Sequence, residues 1–100
     1  MKNMKEYMLI GEVAKRLGIH DQTIRMYERK HLIKPNRTSN NTRLFSQNDV
    51  TKITIIITLT QEVGLNLSGV KMVFSLAKRL HMTNDELLDF IYDHHAEFQV

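Results

Sequence analysis

Between His20 and Ser46 the chain reads HDQTIRMYERKHLIKPNRTSNNTRLFS, and this stretch holds six of the fourteen Lys and Arg residues. Its side chains suit one kind of chemistry, the recognition of a polyanion that also displays hydrogen-bonding edges. Gln22 can bond adenine bidentately, Thr23 can reach a base edge or a thymine methyl, and Arg25 can take guanine or a phosphate. Double-stranded DNA asks for this layout: cations on the flanks for phosphates, and polar side chains at a helix start for bases. Arg29 and Lys30 read as solvated or phosphate-facing, and Arg16 as a further phosphate contact.

Other chemistry finds little support. The chain has no cysteine, which excludes disulfides, Cys-ligated metal and thiol catalysis. His81, His94 and His95 lie near Asp85, Asp89 and Asp93. No His pair has the i, i+4 spacing that puts two imidazoles on one helix face, and adjacent His94 and His95 point about 100° apart. No metal and no cofactor are therefore expected. Gly-rich phosphate loops, HExxH and G-x-S-x-G are all missing, so the reading is not an enzyme and no residue is assigned a catalytic role.

The charge is unevenly placed. Residues 1–45 carry ten Lys/Arg against four acids, and residues 46–100 carry four against seven. This suggests a polyanion-binding half joined to a half with a different surface, although charges scattered for solubility remain an alternative. At 100 residues the chain is expected to be one domain. It lacks an apolar leader and any run near the ~20 apolar residues of a membrane span, so a soluble, cytoplasmic protein with no membrane partner is expected. The six Met residues, Met1, Met4, Met8, Met26, Met72 and Met82, read as core filling or frayed terminus rather than an effector pocket.

The elements that must position these residues follow from periodicity. Ile10, Val13, Ala14 and Leu17 predict a helix over 11–17, with Gly11 as N-cap and Gly18 as its stop. A second helix runs from Asp21 to about Lys30, with Asp21 in its first turn and basic residues in its last. Two short helices joined by three residues form a helix-turn-helix pattern. His20 is either the N-cap of the second helix, the favoured role, or a DNA-backbone contact. After Pro35, Asn40-Asn41 can supply the left-handed residues of a hairpin tip, predicting a two-stranded wing over about 35–45; a disordered loop is the alternative.

Ser46 with Asp49 resembles a capping box. The following TKITIIITLT is ambiguous. Ile53, Ile55, Ile57 and Leu59 alternate as in a strand, whereas a helix over 47–63 gathers Val50, Ile53, Ile56, Ile57, Thr60 and Val63 on one stripe, ended by Gly64. Leu67, Val70, Val73/Phe74, Ala77 and Leu80 predict a further helix. Thr83 with Glu86 caps a last one, whose stripe Leu87, Leu88, Ile91, Tyr92, His95 and Phe98 either packs on its own domain or pairs with a second copy.

Taken together, MLIGEVAKRLGI, QTIRMYERKHLIKPNRTSNNTRLFSQNDV and QEVGLNLSGVKMV resemble the successive signatures of the MerR-type winged helix-turn-helix regulators, from about Tyr7 to Phe74. GIHDQTIRMYERKHL with EVGLNLSGV is most similar to the heat-shock repressor subgroup, HspR. The resemblance implies a mainly α fold with a small β-hairpin wing. In this reading residues 1–80 form the DNA-binding domain, with the helical pair over about 47–80, and residues 81–100 form a C-terminal amphipathic helix for dimerisation. It settles the Ile/Thr segment as a helix. It implies that Tyr27 contacts phosphate through its hydroxyl, with a packed Tyr as the alternative, and that Arg37 and Arg43, joined by Asn41 at the tip, meet phosphates or the minor groove.

The resemblance further implies a homodimeric repressor on an inverted-repeat operator of chaperone genes, with the chaperone DnaK as possible co-repressor. Another short MerR-type regulator, such as a nitrogen-control-like repressor or a promoter-distorting activator, is the near alternative. An excisionase-like architectural module or a pure protein-interaction module is more distant. Two departures stand out: His31 occupies a place where the family carries Gly, and Asn40-Asn41 replace a wing-tip Gly.

Overall fold

The computed structural model describes residues 6–100; Met1 and Met4 lie outside them. Among the described residues the chain forms five α-helices and one antiparallel hairpin. In order these are α1 (Ile10–Leu17), α2 (Asp21–Arg29), β1 (Asn36–Arg37), β2 (Arg43–Leu44), α3 (Gln47–Thr58), α4 (Leu67–Arg79) and α5 (Asn84–Phe98). A single π-helical turn, Leu59–Val63, continues α3. The contacts divide the chain into two compact units, the first up to Val50 and the second from Thr51. The division thus falls inside α3.

In the first unit, α1 packs on α2. It begins one residue before the expected start: Leu9 rather than Gly11 is the N-cap. Leucine has no oxygen to cap with, and the Glu12 carboxylate instead accepts the Leu9 N–H at 3.2 Å. Gly18 closes the helix at φ +67°.

The same closure recurs after α2 and α4 with histidine in place of glycine. After α2, the N–H groups of His31 and Leu32 donate to the carbonyls of Glu28 and Tyr27, with His31 at φ +61°. After α4, His81 and Met82 donate to Lys78 and Ala77, with His81 at φ +58°. Both are Schellman closures, which need a left-handed residue just past the helix. A side chain is strained there, and glycine relieves more than its extra unfolded-state freedom costs. His31→Gly is therefore expected to raise the unfolding free energy by about 0.5–1 kcal/mol, read as a higher urea midpoint at unchanged slope.

The wing forms where expected. Asn36 pairs with Leu44 and Arg37 with Arg43. At the tip the Asn41 N–H donates to the Thr38 carbonyl at 2.9 Å, and Thr38 N–H donates to the Thr42 carbonyl at 2.9 Å. Asn41 alone takes the left-handed conformation, at φ +66°, so one of the two expected asparagines does the work of the family glycine. The wing is anchored at its exit: Phe45 is fully buried and exchanges two 2.8 Å backbone hydrogen bonds with Met8. Val13, Ala14, Ile24, Tyr27, Leu32, Ile33 and Leu44 complete this unit's buried apolar residues together with Phe45 and Val50.

Ser46 and Asp49 cap α3 reciprocally, at 3.1 and 2.9 Å. The Ile/Thr segment is a helix, but not one with the expected stripe. Ile53, Ile55, Ile56 and Leu59 are buried, as are Thr51 and Thr58, whereas Ile57, Thr60 and Val63 are only half-buried. The threonine hydroxyls bond back to the helix: Thr58 donates to the Thr54 carbonyl and Thr60 to those of Ile56 and Ile57. That removes the polar cost of placing threonine in a largely buried helix. Gly64, at φ +87°, ends the π turn.

Asn66 caps α4 by accepting the Gly69 N–H at 2.9 Å. Val70 and Ala77 are buried, but Leu80 is 70% exposed, so the apolar stripe expected to reach Leu80 stops short. Met72, at 62% exposure, is not core filling either, while Met8, Met26 and Met82 are half-buried. Thr83 and Glu86 cap α5 reciprocally at 2.9 and 3.1 Å.

Leu87 and Ile91 are 4% and 3% exposed within the second unit. These two members of the expected dimerisation stripe are core residues, because α5 folds against the π turn of its own unit and the Gln99 amide donates to the Glu62 carbonyl at 3.0 Å. Leu88 and His95 are half-buried, and Tyr92 and Phe98 remain open, joined by Phe90, which the stripe omitted. No helix among the described residues is long and apolar enough to cross a membrane.

Candidate nucleic-acid interface

Helix α2 buries Ile24 and Tyr27 and turns Gln22, Arg25 and Arg29 outward. At about 100° per residue these three lie within some 60° of one another. Gln22 and Arg29 are exposed, and Thr23 and Arg25 are half-buried. Arg25 donates through Nη2 to Asp21 Oδ2 at 3.2 Å, one turn earlier. Its buried Nε has no hydrogen-bond partner among the described residues. Arg29, which from sequence reads as solvated or phosphate-facing, shares the outward face with Gln22.

His20 does occupy the N-cap of α2, but its ring makes no capping bond and is exposed. The first turn is closed by its carbonyl, which accepts the Thr23 N–H at 3.0 Å. An imidazole lacks the short side-chain oxygen that caps a helix, so His20 holds the N-cap position without supplying the cap. Tyr27 is 5% exposed, and burial pushes its hydroxyl above the usual tyrosine range. Its ring packs in the core of this unit, as the packed alternative expects. Lys30 is the exposed C-cap of α2, and Arg16 is exposed near the end of α1 with Nη1 3.5 Å from Met8 Sδ.

The wing arginines are not free. Glu28, on α2, accepts from Arg43 Nε at 2.7 Å and from Arg37 Nη2 at 3.0 and 3.2 Å. Arg37 Nη1 also donates to the Asn41 carbonyl at 3.0 Å. Arg25, Asn41 and Arg43 line one groove of about 580 Å³ with Leu9 and Glu12 at the start of α1. The structure thus brings α2 and both wing strands together through a residue not assigned from sequence. A signal was present: Asp21 and Glu28 are the two acids between His20 and Ser46, and each pairs with arginine.

Partial burial alone would raise the Glu28 pKa, but the hydrogen bonds from Arg43 and Arg37, with their charges, outweigh it and hold the carboxyl below its usual range. A carboxylate depressed on folding stabilises the native state above its unfolded pKa of ~4.3 and loses that contribution as pH falls through the lower folded value. Urea midpoints measured from pH 7 down to 3 are expected to fall less steeply in Glu28→Gln than in the native sequence.

A family model described as MerR HTH family regulatory protein matches residues 8–77. The chain belongs to the MerR family of helix-turn-helix DNA-binding transcriptional regulators. Among MerR-family relatives it is 33% identical over 72 residues to the heat shock protein HspR of Streptomyces coelicolor, covering 72% of this chain and 48% of the relative. It is 44% identical over 64 residues to the transcriptional regulator GlnR of Bacillus anthracis, covering 64% and 49%. To the mercuric resistance operon regulatory protein of Bacillus cereus it is 34% identical over 82 residues, covering 81% and 61%. The chain therefore spans about half to three-fifths of the length of these relatives. Within the MerR match lie α1, α2, the wing and α3, and α4 up to Ala77.

Proposed function

We propose that the chain acts as a homodimeric transcriptional repressor on an inverted-repeat operator, in the manner suggested by the likeness to HspR. The observation that carries the DNA-reading part is the outward face of α2, Gln22, Arg25 and Arg29, beside a wing tied to the same helix by Glu28. Gln22 and Thr23 read bases, Arg25 and Arg29 read guanine or grip phosphate, and Arg16, His20, Lys30, Arg37, Asn41 and Arg43 hold the backbone. Residues 1–80 bind DNA. The open apolar side chains of α5, Phe90, Tyr92 and Phe98, with Leu76 and Leu80 of α4, support self-association through the second unit. Chaperone genes are the regulated class, with DnaK as protein co-repressor.

The higher identity to GlnR supports a second reading, a short MerR-type regulator outside the heat-shock class. Genome-wide mapping of bound DNA, with and without heat stress, separates the two. Binding at chaperone promoters supports the first reading, and peaks confined elsewhere favour the second. An architectural module would bend DNA lacking promoter elements.

A further inference from the structure

Arg37 and Arg43 face each other directly across the two wing strands. Each strand has only two residues. Like charges in that register repel, and two residues per strand supply few ladder bonds to offset it. One carboxylate resolves the conflict. Glu28 is bonded to both arginines; its pair with Arg43 is partly buried, at 22% side-chain exposure for each partner, whereas Arg37 is the more exposed of the two, at 33%. The Arg43 pair is therefore screened less than one on an open surface, and the Arg37 pair adds a second, more exposed tie.

Glu28 belongs to neither strand. It sits on α2 three residues past Arg25, five past Thr23 and six past Gln22, so the link runs from a helix to both edges of the wing, and through Arg37 on to the Asn41 carbonyl at the tip.

We propose that Glu28 is a positioning residue for DNA recognition: it sets the wing at a fixed distance from the base-reading face of α2, so that both engage one site in register. This rests on the reading of the chain as a DNA-binding regulator. A carboxylate placed among phosphate-seeking arginines lowers attraction to any polyanion, so its use is selectivity rather than affinity. The two effects have opposite signs on different DNA. Removing the charge frees the arginines for any phosphate, while the wing loses its register with α2.

The probes are a duplex selected by the unaltered protein from a random-sequence pool, and an unselected duplex of the same length. Binding of the native sequence, Glu28→Gln and Glu28→Asp is measured over a range of salt, with thermal midpoints recorded alongside. For Glu28→Gln, affinity for the unselected duplex is expected to rise or hold, with a salt slope steeper by about one. Its preference for the selected duplex is expected to fall at least tenfold. Glu28→Asp, which keeps the charge, is expected to recover part of that preference.

Glu28→Gln keeping the native preference for the selected over the unselected duplex overturns the proposal. So does an equal loss on both duplexes with a lowered thermal midpoint, because that is the mark of a merely structural residue. Salt-independent or absent binding of the native sequence to every duplex overturns the DNA-binding reading itself, and the proposal with it.

Discussion

Phe45→Ala is expected to lower the unfolding free energy by about 3–5 kcal/mol, the range for removing a buried aromatic ring whose cavity refills only in part. Phe45 is fully buried and is the largest such side chain among the described residues. Its backbone also pairs with Met8 on both sides, so it joins the end of the wing to the segment that leads into α1. The substitution leaves that backbone pairing intact and removes only the ring. A small domain has about 5–15 kcal/mol of stability in all, so the loss is a large share of it. Urea denaturation of the native sequence, Phe45→Leu and Phe45→Ala should give a graded fall, with leucine well under half the alanine effect. A loss below about 1 kcal/mol for alanine would mean that the wing is not anchored through this ring.

Arg43→Ala is expected to weaken binding to every duplex, selected or not, by about 10- to 100-fold, and to flatten the salt dependence by about one phosphate. Two effects add. One charged contact to the backbone is lost, and Glu28 keeps Arg37 as its one remaining arginine, leaving its carboxylate less compensated among phosphates. Gln22→Ala contrasts with this. It leaves the charge unchanged and should cost ~1–3 kcal/mol on the selected duplex with little effect elsewhere. Titrations of both variants against both duplexes check the division of labour, and equal losses on all DNA for both would refute it.

The elements around the interface were readable because their determinants are local. Gly18 stops α1, Ser46 with Asp49 opens α3, and Thr83 with Glu86 opens α5; each needs residues no more than three apart, and each is present as expected. The Ile/Thr segment was different. A helix with Ile53, Ile55, Ile56 and Leu59 all buried has no single apolar stripe, so its sequence satisfies the strand period as well as the helical one. Resemblance resolved it where periodicity did not.

The amino-acid sequence by itself determined most helix boundaries, where the hairpin turns, and which helix carries the polar, basic face, because propensities, caps and turn residues act over three or four positions. Only the tertiary structure decided how those parts are used. Tyr27 became core, Leu87 and Ile91 were buried against their own unit, and Glu28 met arginines nine and fifteen residues away. Burial and ion pairing depend on which distant segments the fold brings together, and no short-range pattern encodes that distance.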